Sequence, residues 1–271
     1  MPYRHAHYYL LALFPLTLFA FWPGYFSDLR GAAYSAHVHG VTASLWIALL
    51  AMQSWSIHRR QNALHRTLGY SSFVLFPLFT VGGLLVIQTM AMKFTAGVSP
   101  FYNVFAPGLA LLDGLSTLAV PCLFFMALKS RRKVHRHGAY MLSTVFFLLA
   151  PITTRILSDY PPFAVTGPET FHRFGWALHF SNLMVVLLLL ELHRRHPKSG
   201  RAFLVTAGLV AVQSLLFAFV APLPLWRGLF ASIATVPLPV LVSLGFAVSG
   251  AVAWAGWSSV PLRRRTAATS S

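Results

Sequence analysis

Eight apolar segments, about 15–28 residues long, alternate along the 271-residue chain with short loops that hold almost all of its charge. They span residues 8–22, 37–57, 68–92, 104–128, 138–157, 172–192, 202–221 and 230–257. A bilayer core of about 30 Å takes some 20 helical residues, whereas a barrel strand takes about ten and alternates in polarity. The pattern predicts an all-α polytopic membrane helix bundle of about eight transmembrane helices, a single integral membrane domain over residues 1–271. Segment one is the shortest. Segment eight contains Pro237 and Pro239, which predict a kink or a partly re-entrant stretch. Only 10% of residues are charged, against about 25% in a soluble domain, and no length remains for a second, soluble domain. The aromatic-rich N-terminus lacks a small-residue cleavage site and reads as an anchored first span.

Loop charge sets the orientation. Arg4; Arg59, Arg60 and Arg66; Lys129, Arg131, Arg132, Lys133 and Arg136; Arg194, Arg195, Lys198 and Arg201; and Arg263, Arg264 and Arg265 fall on one set of alternate loops. The other set holds Arg30, Lys93, Arg155, Arg173 and Arg227, a split of 16 to 5. Basic residues stay on the cytoplasmic side, so both termini are expected in the cytoplasm. The net charge of +16 is thereby a topology signal that touches anionic lipid, with no nucleic-acid partner implied. A single cysteine, Cys122, excludes a disulfide framework, CxxC redox chemistry and covalent CxxCH haem attachment. No Walker, GxGxxG, GxSxG or HExxH motif occurs, so no nucleotide cofactor is expected.

Polar residues within the spans mark the candidate site. His39, Trp46 and Gln53 are seven apart and share a helix face, with Thr42 on its flank. Asp113 lies about 14 Å down the fourth span at about 1.5 Å per residue, where a carboxylate is costly without a partner. Span five carries Arg155 and Asp159 at i, i+4, and span six carries His172 and His179 on the face of Gly175 and Asn182. His37 and His39 point about 200° apart, and His39 is the inward candidate. Convergence of His39, Asp113, Arg155, His172 and His179 on one site in the outer half is the expectation. Asp113 and Arg155 are the candidate catalytic pair there; the competing reading makes them a structural ion pair. His39, His172, His179 and Asp113 are the candidate set for a transition metal ion, and facing histidines also suit haem b. A redox protein is therefore expected, with membrane lipids and a quinone or another small hydrophobic substrate as partners. A small-molecule or ion transporter and a metal-dependent membrane hydrolase are the alternatives.

A weak internal repeat joins the two best-marked hairpins. RRQNALHRTLGYSSFVLF from Arg59 matches RRKVHRHGAYMLSTVFF from Arg131: a basic loop, His-Arg, glycine, then an aromatic at the head of a span. The pattern of His39, Trp46, Gln53, His65-Arg66 and Gly69, with Lys133-Val134-His135-Arg136 and Arg155 after it, resembles a class of uncharacterised bacterial multi-span membrane proteins. More loosely it resembles transmembrane b-type cytochromes, over about residues 35–160. The resemblance implies a bacterial inner-membrane location and two haems, one near each face. His39 would then serve an outer haem, with His179 replacing a partner that span four lacks, and His65 and His135 an inner one.

Overall fold

The computed structural model describes residues 3–260; Arg263, Arg264 and Arg265, counted above in the loop charge, lie outside them. The helices are α1 (Ala6–Phe21), α2 (Tyr34–His58), α3 (Asn62–Ala96), α4 (Pro100–Lys129), α5 (Val134–Ser143), α6 (Phe146–Ser158), α7 (Phe171–Arg195), α8 (Arg201–Leu215), α9 (Pro224–Ser232) and α10 (Leu238–Ser258). Seven stretches are long and apolar enough to cross a membrane, with α5–α6 forming one of them; α1, at 16 residues, is shorter. The protein is a polytopic helical membrane bundle. Its eighth apolar segment divides differently from expectation. Residues 230–232 close the short helix α9, and the proline at 237 ends the connection from which α10 starts. Proline's fixed φ and missing N–H suit a first helical turn, so the pair Pro237 and Pro239 opens a helix here and does not kink one.

Local chemistry sets the other boundaries. Gly97 closes α3 at φ +65°, a left-handed conformation that a Cβ disfavours. Pro100 and Pro224 head α4 and α9. The fifth span breaks at Thr144–Val145, where N–H groups reach back only three residues, from Thr144 to Met141 and from Val145 to Leu142. A single π turn, Leu216–Val220, ends the α8 span.

Packing relies on small residues where backbones approach. Gly245, Ser249, Ala253 and Gly256 make one buried stripe of α10. A Cβ at Gly256 would lie 3.2 Å from the Phe125 backbone of α4, and one at Gly245 would meet Val81 of α3. In lipid, where apolar burial drives little between helices, such contacts and interhelical hydrogen bonds provide the cohesion. At the centre, the fully buried Trp46 packs against Phe76, Phe79 and Phe124. Its indole N–H donates across the bundle to the Thr144 hydroxyl (2.9 Å), joining α2 to the break in span five.

Both described chain ends lie at the same end of the bundle. Tyr3 stacks edge-on against His196 (4.8 Å), His7 neighbours His58 (6.5 Å), and Arg131 donates to the Val260 carbonyl (2.6 Å). This end carries the arginine-rich turns α2–α3, α4–α5 and α7–α8, and is called the basic end below.

Candidate functional site

The glycine pair Gly82-Gly83 of α3 positions the far-end site. A Cβ at Gly82 would sit 3.0 Å from the His39 Cα and 3.0 Å from the Thr42 hydroxyl, and one at Gly83 would sit 3.3 Å from the Thr117 hydroxyl. The pair lets α2 approach α3 on one side and α4 on the other, so His39 and Asp113, one turn before Thr117, come to the same level. At about 1.5 Å per residue, His39 lies about 28 Å from the basic end of its helix, Asp113 about 24 Å and Arg155 about 31 Å. Arg155 acts electrostatically on His39, Asp113 and Tyr102 of α4. The sequence therefore places three of its five far-end candidates in one neighbourhood.

Among the described residues, none of the three has an ion-pair partner within 4 Å. Among the described residues, the ion pairs within 4 Å are those of Glu191 with Arg194 and Arg195, at 2.6 Å each. Arg155 reaches neither Asp113 nor Asp159 at that range, so the i, i+4 spacing on α6 produces no salt bridge. Its guanidinium donates to the Pro151 carbonyl of its own helix (3.1 Å) and lies 4.3 Å over the Phe21 ring of α1. His39 stacks on Phe79 (5.8 Å), and its buried Nδ1 has no hydrogen-bond partner among the described residues. Arg155 keeps the accessible area of an exposed residue, and Asp113 and His39 keep part of theirs, although all three lie deep among protein atoms. Both conditions hold together for side chains on the wall of an interior crevice. Beyond His39 the stripe runs into fully buried Trp46 and the phenylalanines packed on it.

His172 and His179 do not join this group. Helix α7 packs on α6 and α8, and its polar face turns to α8: Asn182 donates to Ser214 (2.9 Å), and Gln213 of α8 donates to Ser116 (2.9 Å) and to the Leu112 carbonyl (2.8 Å) of α4. His179 meets Phe217 edge-on (5.7 Å), and exposed His172 meets Trp176 (4.8 Å). The proposed metal shell of His39, His172, His179 and Asp113 is thus not assembled. Among the described residues no three His, Cys, Asp or Glu side chains come together as a metal site. Among the described residues the ring found against His39 is Phe79, and no second imidazole is stacked on it. His37 is engaged by the Tyr25 hydroxyl (2.8 Å).

The basic end holds a second histidine group. His65, at the start of α3, donates from Nδ1 to the Gln53 carbonyl of α2 (3.3 Å), and His137, at the start of α5, donates from Nδ1 to the Ala127 carbonyl of α4 (2.9 Å). The two are close enough for their charges to interact. Neither Nε2 has a hydrogen-bond partner among the described residues. His135, the residue expected to pair with His65, is exposed, and His137 takes the inward position. The repeat contained the signal: His65 follows Arg59 by the same six residues that separate His137 from Arg131. Aligning on the His-Arg dipeptide selects the exposed histidine, because two residues along a helix turn the side chain by about 200°.

No family model matches the chain, and no curated protein or solved structure matches it either.

Proposed function

We propose that this integral membrane protein is a redox protein that binds haem b at its basic, cytoplasmic end through His65 and His137. One observation carries the reading: repeated hairpins present two neighbouring imidazoles, each held by an Nδ1–H···O=C bond to the helix before it. That bond fixes the tautomer and leaves Nε2 as the metal-binding nitrogen. Two imidazoles suffice as axial ligands of haem iron, whereas a bare zinc site wants three or four protein ligands. When bound, haem supplies one-electron transfer. The chain's own part is to orient the rings: the Gln53 and Ala127 carbonyls hold the Nδ1 protons, and α2 and α4 hold the carbonyls. Phe79 and Trp46 stack in line from His39 toward this end (5.8 and 6.0 Å between centroids), which places aromatic rings between the two polar groups.

The test is the absorption spectrum of detergent-purified full-length protein. A Soret band is expected that disappears in both His65→Ala and His137→Ala and persists in His135→Ala. A folded, colourless wild-type protein refutes the proposal, and loss of the band in His135→Ala together with its retention in His137→Ala restores the pairing implied by the cytochrome resemblance.

A further inference from the structure

The far-end crevice contains binding capacity that the haem reading does not use. A guanidinium has five N–H donors in one plane. Arg155 spends one of its donors on the Pro151 carbonyl, and its plane is steadied by the Phe21 ring. The rest face no acceptor among the described residues. Among the described residues Asp113 accepts no hydrogen bond, and the buried His39 Nδ1 has no partner. A carboxylate at bilayer depth without a partner is costly, and Arg155, in the last turn of α6, has donors to spare. A molecule that bridges the two relieves the cost at Asp113.

We propose that this crevice is a binding site for a small carboxylic acid carrying its own hydrogen-bond donor next to the carboxylate, a hydroxy acid or an amino acid. The carboxylate lies against Arg155, whose fork matches two oxygens at once. The hydroxyl or ammonium group donates to Asp113. Such a ligand partners both Arg155 and Asp113, whereas a simple anion leaves Asp113 bare and a neutral alcohol leaves Arg155 bare. The site stands independently of any haem at the basic end.

Calorimetric titration and thermal stability of the full-length protein in detergent, in a sulfonate buffer free of carboxylates, test this. The probes are lactate and free alanine, with acetate and lactamide as the ligands lacking one half of the recognition. Saturable binding of lactate, of alanine or of both is expected, with the pattern identifying the hydroxy or the amino acid; acetate and lactamide bind at least about tenfold more weakly, the scale of one lost charge-assisted hydrogen bond. Arg155→Gln and Asp113→Asn each weaken binding by about tenfold or more while melting near the wild type. Should Arg155→Gln fail to fold, Arg155→Lys keeps the charge, loses the planar fork and is expected to weaken binding by about fivefold or more. A folded wild type that binds neither acid overturns the proposal, as does undiminished binding in whichever Arg155 variant folds. Asp113→Asn that unfolds and is rescued by removing Arg155 also overturns it, since the pair would then be a structural bridge.

Discussion

The bond between Trp46 and Thr144 fastens α2 to the break in span five, and its energy can be isolated. Trp46→Phe removes the indole N–H but keeps an aromatic ring among Phe76, Phe79 and Phe124; Thr144→Val removes the acceptor at nearly constant shape. Both side chains are fully buried, so neither regains water when the 2.9 Å bond is lost. Interhelical hydrogen bonds in membrane proteins couple by about 0.6 kcal/mol on average and by up to about 1.7 kcal/mol. Full burial and near-ideal distance place this one in the upper half of that range, about 1–1.7 kcal/mol. Trp46→Phe alone should cost about 2–3 kcal/mol, because the lost ring also leaves a void in a close-packed site. Thr144→Val additionally removes the hydroxyl's bond to the Met141 carbonyl (2.7 Å), so the single costs will not match and only the double-mutant cycle isolates the shared term. Reversible unfolding of the four proteins in mixed detergent measures it. Strictly additive costs, with coupling below about 0.3 kcal/mol, would refute the claim that this bond holds α2 and span five in register.

Two predictions concern helix approach. Gly82→Ala places a methyl 3.0 Å from the His39 backbone and should lower stability by about 1–3 kcal/mol, as overpacking does, read as a drop in melting temperature. Gly256→Ala faces the Phe125 backbone at 3.2 Å and should destabilise on the same scale. Gly250 of the same helix has nothing within 4 Å of its Cβ position, and Gly250→Ala should be neutral or stabilising by up to about 1 kcal/mol. Equal melting temperatures for those two variants would contradict the packing of α10 against α4.

Helix positions were legible because hydropathy and loop charge follow directly from the cost of placing polar groups in lipid. The expected fourth span, 104–128, sits inside Pro100–Lys129, and the second, 37–57, inside Tyr34–His58. The internal break of span five escaped because hydropathy runs unbroken through Thr144 and Val145, and a local break leaves no mark in it. At the site, a spacing of seven correctly placed His39 and Trp46 on one face of α2. The same rule failed for His172 and His179, since it states which residues share a face and not which neighbour that face meets. That choice rested with Asn182 and Gln213, whose partners lie 32 to 101 residues away along the chain. Gly82-Gly83, which sets the close approach of α2 and α4, was present in the sequence as a glycine pair inside an apolar run, a known sign of backbone contact.

Helix α1 has a consequence for the surrounding membrane. Its 16 residues extend about 24 Å, short of the roughly 30 Å of an average hydrocarbon core. Were α1 to cross the bilayer, thinning of the lipids beside it would be one response, at a cost of a fraction of a kcal/mol per ångström. Phe21, at the last turn of α1, is the ring under Arg155, so any thinning would fall where the crevice residue sits. Acyl-chain length is then expected to set how near the water surface comes to Arg155: short-chain bilayers would bring the headgroups to the crevice, and thick ones draw them away.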